Sequence, residues 1–525
     1  MLTALILIPL LGAIAVALIP DPPDAPSRAK PIALIVATIA LLESIYLATQ
    51  YDINNAGLQF VEAQTWITQI GLNYHLGLDG LSFPLVLLNT LLTIIAIYST
   101  SDRIDRPKLY YALLLITSAG VAGAFLAQNL LLFVLCFELE LIPVYLLIAI
   151  WGGEKRGYAA TKFLLYTALS GILILASFLV VAWIGGDFLS FDYADISTAH
   201  LDLQTQLIAL TLLLVGLGIK IPLVPLHTWS PDAYVESSPP IAILLGGVLA
   251  KMGTYGLIRF GLEVFPETWT LVAPGLAIIG AISVMYGSLA AIAQRDIKRM
   301  VAYSSIGHMG YILVAIAAGT ELSVLGGIAQ MVAHGLILAL LFNLVGLVEA
   351  KTGTRDLDAL NGLLNPVRGL PLVSTLLITA GMASAGIPGM VGFAAEFLVF
   401  QGSFSVFPIP TLLCILSSGL TAVYFVILLN RTCFGKLDNS LAYYDRVTLP
   451  ERLPAIILVA IVVIFGLQPN WLVRWMEPTS ARFVAALPVN EIRVPAIGQG
   501  VKQEFKPAIA SLPQPLTAPS LGRHD

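Results

Sequence analysis

The chain has 525 residues, 58% of them hydrophobic and 11% charged, with a mean hydropathy of +0.88. That balance excludes a water-soluble globular domain. The formal net charge of −5 identifies no partner; lipids are expected neighbours and nucleic acid is not.

Hydrophobic runs able to cross a hydrocarbon core of roughly 30 Å recur from one end to the other, and they predict an all-α polytopic membrane protein with about fourteen transmembrane helices. In chain order the spans lie near 2–19, 31–49, 79–99, 110–127, 130–150, 160–184, 205–228, 240–260, 272–293, 300–318, 325–348, 371–404, 409–430 and 453–473. A β-barrel would show short alternating segments, whereas the stretch from Leu207 to Leu217 is apolar on nearly every face. The first run lacks the basic start and small-residue cleavage pattern of a secretory signal, so it is expected to remain as a span.

Loops on the cytoplasmic side collect Lys and Arg. Alternate loops of this chain separate accordingly. One set holds Lys30, Arg103, Lys108, Lys155, Arg295, Lys298, Lys351, Arg355 and Arg431 among others, while the opposite set of connecting loops holds only Arg259, although it includes the long segments 50–78 and 185–204. Both termini are then predicted to face away from the basic loops. The proline-bearing tail after about Arg474 reads as an extended surface strap or a disordered end.

An ionisable residue within a span is costly and usually marks a pathway. Glu138 and Glu140, Lys220, Lys251, His308, His334 and Glu396 all fall in spans. A lone membrane histidine, or a lone Glu such as Glu43, also reads as a hydrogen-bonded packing residue. Two lysines in adjacent spans read less easily that way, because a buried lysine is hard to stabilise. Burial disfavours a charged ammonium and a nearby carboxylate restores it, so Glu138 and Lys220 are read as a proton switch. Glu140 lies about 200° around a continuous helix from Glu138 and is not expected to face the same partner.

Two spans are broken by proline. Pro222 and Pro225 follow Lys220 and leave the carbonyls of Gly218 and Ile221 without their helical donors, and Pro388 does the same for Ser384 ahead of Glu396. These breaks fall in the seventh and twelfth spans, an odd offset that predicts two inverted five-helix repeats. The expected organisation is helices 1–3 in 1–109, repeats at 110–260 and 261–435, a last helix in 436–475 and an extramembrane tail at 476–525.

Cys136, Cys414 and Cys433 have no CxxC spacing, and neither a P-loop nor a dinucleotide fingerprint is present. No metal or cofactor is expected on this chain, and any redox chemistry belongs elsewhere.

Several stretches together carry a resemblance over nearly the whole chain: the run from Phe137 to Pro143, Trp151-Gly152-Gly153, Lys220 to Ala233, Leu249 to Gly256, Ala302 to Gly310, and Ile387-Pro388-Gly389 with Glu396-Phe397. The chain resembles the antiporter-like subunits of complex I-type quinone oxidoreductases and of multisubunit cation/proton antiporters. Glu at 396 rather than Lys resembles the M-type branch, and the two-glutamate run resembles its cyanobacterial and plastid form. Ser230 stands where the family often has Leu, and Ala394-Ala395 where Val-Gly is common.

The resemblance implies a non-redox, proton-translocating subunit of an NAD(P)H- or ferredoxin-driven plastoquinone oxidoreductase in a thylakoid membrane. Its partners would be other membrane subunits, including neighbouring antiporter-like chains, with quinone and iron–sulfur clusters in partner subunits. Glu138 and Lys220 would control proton uptake, Lys251, His308 and His334 would form the central relay, and Glu396 the exit. The alternatives are a multisubunit sodium/proton antiporter subunit and a non-conducting spacer.

Overall fold

A computed structural model describes residues 1–20, 27–184, 190–437 and 444–488. The chain begins with α1 (Leu2–Leu18), α2 (Ala29–Gln50), a hairpin of β1 (Gln59–Ile67) and β2 (Leu72–Leu78), α3 (Ser82–Ser99) and α4 (Pro107–Leu126). Next come α5 (Leu130–Leu139), α6 (Leu141–Trp151), α7 (Arg156–Ile184), α8 (Leu203–Lys220) and α9 (Trp229–Glu236). The remainder is α10 (Pro239–Leu262), α11 (Pro266–Ile292), α12 (Ile297–Ala318), α13 (Glu321–Thr352), α14 (Pro371–Ser384), α15 (Val391–Phe404), α16 (Pro408–Thr432), α17 (Leu449–Leu467), α18 (Asn470–Val473) and α19 (Glu477–Ala485).

Among the described residues, twelve helices are long and apolar enough to cross a membrane, with α5 and α6 counted as one. The two other predicted spans are the 17-residue α1 and the pair α14/α15, which divides the run 371–404 at its proline break. The protein is a multi-pass membrane protein. Helix starts follow local chemistry: Pro107, Pro239, Pro266, Pro371 and Pro408 open helices where a missing N–H costs nothing. Asn129, Asp202, Asp296 and Thr320 cap others with side-chain oxygens.

Burial divides the helices into layers. α10, α12 and α13 are buried almost all round, whereas α2 and α17 keep most of their surface outward. The three most enclosed helices are those carrying Lys251, His308 and His334. α11 lies closely along α12, and small residues permit this: a side chain on Gly287 would meet the backbone of Gly307, and one on Gly310 the carbonyl of Gly280.

The alternation of basic loops corresponds to real proximity. Arg295 and Arg431 both pair with Asp358, Arg355 with Asp296, and Lys351 with Glu451, joining these loops at one end of the bundle. At the other end the segment 50–78, expected only as a long loop, forms the antiparallel hairpin. Glu62 there binds the N-terminal ammonium at 2.6 Å and accepts from Thr3. Partial burial works against ionisation of Glu62, but these contacts outweigh it and hold the carboxyl below its usual range.

Arg259 is not a loop residue. It is 3% exposed near the end of α10 and binds Asp79 at 2.6 Å and Glu263 at 3.1 Å. Arg482 of α19 joins the same Asp79 oxygen at 3.2 Å, so the start of the tail is a packed helix rather than a loose strap. Residues 489–525 of the tail lie outside the described residues. Burial opposes the Asp79 charge, yet two guanidinium groups and backbone N–H donors hold its carboxyl below the usual range.

Removing one partner of such a buried pair leaves the other charge stranded, at a cost of about 3–5 kcal/mol. Asp79→Ala and Arg259→Ala are each expected to lower the thermal stability of the detergent-purified assembly markedly, and the double variant by less than the two losses together. Fully additive losses in a melting experiment would show that the two charges are not coupled.

Candidate functional site

The first half of the site forms where α8 stops. Pro222 ends the helical pattern after Lys220, but the chain re-bonds: Leu223 N donates to the Gly218 carbonyl at 2.9 Å, and Trp229 Nε1 to the Ile219 carbonyl at 2.8 Å. Gly218 is thus not a bare acceptor. Lys220, 2% exposed, forms an ion pair with Glu140, which is fully buried, and its ammonium lies 4.5 Å from the centre of the Phe137 ring.

This corrects the expected Glu138–Lys220 pair. The angular argument assumed one continuous helix from 130 to 150, but the run breaks between α5 and α6. Pro143 cannot donate to the Leu139 carbonyl, and the chain re-aims at Glu140. Glu138 remains close enough to experience the charges of both Lys220 and Glu140. It is half-buried, and a Cβ on Gly171 would collide with its carboxylate. Glu140 is therefore the direct partner of the lysine, while the Glu138 carboxylate lies against Gly171 of α7. Glu140 Oε2 has no hydrogen-bond partner among the described residues.

The second half is a continuous line across α10, α13, α12 and α15. Lys251 is fully buried between two π-helical stretches, Leu245–Leu249 and Leu257–Leu262, which displace the helical hydrogen-bond register on either side of it. Its ammonium donates to the Gly246 carbonyl and lies 2.9 Å from His334 Nδ1. The His334 and His308 rings are 5.3 Å apart between centroids. His308 Nδ1 is 3.4 Å from Glu396 Oε1, and the other Glu396 oxygen accepts from Ser418 at 3.1 Å. The break before α15 makes room for this carboxylate: Gly386 has φ +67°, and a Cβ there would approach Glu396 Oε2 to 2.8 Å.

His308 has competing partners. Its Nδ1 also lies 3.4 Å from Gln330 Nε2, and its Nε2 lies 3.2 Å from Ser384 Oγ. One ring nitrogen cannot accept from the amide and donate to the carboxylate at once, so the two contacts correspond to different proton placements. Gln330 Oε1 and His334 Nε2 are buried without hydrogen-bond partners among the described residues. A neutral His308 can accept from Gln330; a protonated one can donate to Glu396.

All six predicted site residues lie in the bundle interior, in two groups. No hydrogen bond or ion pair joins Lys220 to Lys251 among the described residues. The sequence reading missed Gln330, Ser384 and Ser418; the i, i+4 spacing of Gln330 and His334 was the available signal for the first. It also counted Lys298 as a loop charge, whereas Lys298 is 2% exposed and donates to the carbonyls of Val235 at 2.9 Å and Ser237 at 2.5 Å. Lys162 and Arg299 meet at Asp232, at 2.8 and 3.1 Å. Among the described residues no group of His, Cys, Asp and Glu could hold a metal ion.

Comparison with known proteins places the chain in a family. The family described as NADH:quinone oxidoreductase/Mrp antiporter, TM, matches residues 127–421. NAD(P)H-quinone oxidoreductase chain 4 1 of Synechococcus sp. (strain JA-3-3Ab) is 41% identical over 512 residues, covering 94% of this chain and 96% of that protein. NAD(P)H-quinone oxidoreductase chain 4 of Acaryochloris marina (strain MBIC 11017) is 40% identical, covering 92% of each. A chain of respiratory complex I from Thermus thermophilus superposes with a TM-score of 0.84 at 26% identity, covering 93% of this chain and 100% of that one. A chain of the Mrp complex from Dietzia sp. DQ12-45-1b shares the fold, with a TM-score of 0.83 at 21% identity, covering 92% of this chain and 97% of that one. This chain belongs to the NADH:quinone oxidoreductase/Mrp antiporter membrane family.

Proposed function

We propose that this chain is a non-redox, proton-translocating subunit of an NAD(P)H- or ferredoxin-driven quinone oxidoreductase of the complex I type, housed in a thylakoid membrane. The observation that carries this reading is the buried line Lys251–His334–His308–Glu396, whose members stand within direct or near-direct proton-transfer reach. Residues 110–260 and 261–435 are read as inverted repeats, each supplying one broken helix and its ionisable group. Quinone and iron–sulfur clusters are assigned to partner subunits, which would include neighbouring antiporter-like chains.

In this mechanism Glu140 holds the Lys220 proton, and Glu138 offers a second carboxylate beside it. Drawing Glu140 away leaves an ammonium unpaired in a dry site, so the proton must move or the pair must re-form. On the far side Lys251 passes a proton to His334 Nδ1, the histidine pair carries it to His308, and rotation between Gln330 and Glu396 as partners delivers it to the carboxylate. Glu396 then releases toward the face holding the termini.

The multisubunit antiporter reading rests on the shared fold, but the relatives near 40% identity carry quinone oxidoreductase names. Purification separates the two readings. Co-purified iron–sulfur subunits with quinone-reductase activity support the first; an assembly made only of membrane chains supports the second.

Lys220→Met is expected to abolish proton pumping in vesicles while the complex still assembles, because Met keeps much of the stem's bulk without a titrating group. Pumping at the wild-type rate in assembled variant complex would remove Lys220 from the path. Glu140→Gln and Glu138→Gln should both impair pumping, but only the first should also lower thermal stability, by up to about 3–5 kcal/mol, since it breaks the direct buried pair. Equal melting temperatures for the two variants would show that the ion pair is not the stabilising contact.

Glu396→Gln is expected to block pumping, and Glu396→Lys to retain part of it, because the line needs a titratable group at that depth more than a particular sign. Driven proton uptake measured on assembled complexes tests this. A Gln variant that pumps as well as Glu would make residue 396 structural.

A further inference from the structure

A cavity of about 520 Å3 lies between α17 and the bundle, apart from the proton line. Its walls are apolar, with Leu87 and Leu91 from α3, Leu336 from α13, and Ile461 and Phe465 from α17. Asn470, Trp471, Arg474 and Trp475 stand at its end. From Pro84 to Leu91 the α3 wall extends about 10 Å at 1.5 Å per residue, which keeps the slot within one leaflet of a core roughly 30 Å thick.

The rim has the chemistry of a membrane surface. Trp471 is 62% exposed, and Trp475 stacks on Phe83 with centroids 5.0 Å apart; tryptophan is enriched where hydrocarbon meets water. Arg474 is exposed, and its guanidinium has no ion pair or hydrogen bond among the described residues. Arg259 and Arg482 on this face share Asp79, and the N-terminal ammonium has Glu62. Among the described residues Arg474 is the arginine of this face with no carboxylate partner, and it sits beside an apolar slot.

We propose that this cavity is a binding site for an anionic glycerolipid, with one acyl chain in the slot and the headgroup on Arg474. An amphiphile with an aliphatic tail and one negative head satisfies the apolar walls and the free guanidinium together. The site also bears on the relay. Val332 and Leu336 face the slot from α13, and His334 between them points about 200° away. A chain lodged there keeps water from the back of the helix that carries His334.

Photolabelling of the assembled complex tests the proposal, with phosphatidylglycerol and phosphatidylcholine carrying the same diazirine-bearing acyl chain and cross-linked peptides mapped by mass spectrometry. Phosphatidylglycerol should label peptides covering residues 84–91 and 461–465 about fivefold more than phosphatidylcholine, the factor one basic residue contributes at an anionic lipid surface. Arg474→Gln should remove that preference and Arg474→Lys should keep most of it. Ile461→Trp, which fills the slot, should suppress labelling by both lipids, and excess inorganic phosphate should leave labelling unchanged. Equal labelling by the two lipids in the unmutated complex, indifference to Arg474→Gln, full competition by phosphate, or cross-links from a probe at position 461 to a companion subunit would each overturn it.

Discussion

A charge placed where water is absent must be paired, hydrogen-bonded or surrendered, and the architecture of this protein is arranged around that constraint. Lys220 has Glu140 and the Phe137 ring; Lys251 has a carbonyl and an imidazole; Glu396 has a histidine and a serine. The helices that carry Glu140, Lys220, Lys251 and Glu396 are also the ones that depart from regularity. The run from 130 to 151 breaks at Glu140, α8 stops at Lys220, α10 carries π turns on both sides of Lys251, and Gly386 bends the chain ahead of Glu396. A regular helix in hydrocarbon satisfies its backbone and offers nothing to a side chain. Departures free or redirect polar groups at the depth where ionisable residues need them.

Satisfaction is incomplete in several parts of the bundle. Glu140 Oε2, His334 Nε2 and Gln330 Oε1 on the ionisable lines are buried without partners among the described residues, as are Glu43 Oε2, Trp269 Nε1 and Ser403 Oγ away from them. An orphaned buried polar atom is destabilising. Beside a titratable group, an open valence leaves a proton or an amide somewhere to go. His308, held between an amide nitrogen and a carboxylate at the same 3.4 Å, has two alternative partners rather than one.

The two ends of the bundle solve a different problem. Basic loops at one end are tied by ion pairs, and the other end is covered by the hairpin and fastened through Asp79, Arg259 and Arg482. That clasp holds α3, α10 and α19 together, and α10 is the helix whose centre holds Lys251. Rigidity at this end therefore helps to position the relay lysine, with the apolar slot beside α17 as the neighbouring region left for a lipid chain.

By itself the sequence determined the spans, their alternation, the proline breaks after Lys220 and before Glu396, and the set of ionisable residues in the interior. Those are local properties: apolar run length, charge in loops and the missing N–H of proline are read a few residues at a time. Only the tertiary structure decided that Lys220 meets Glu140 rather than Glu138, since a break within one span shifts the direction of every side chain after it. It also decided that Arg259 and Lys298 are interior residues and not loop charges, because their partners Asp79, Val235 and Ser237 come from distant parts of the chain. Pairing of buried charges is a long-range condition, and hydrophobic periodicity carries no information about which distant group will satisfy it.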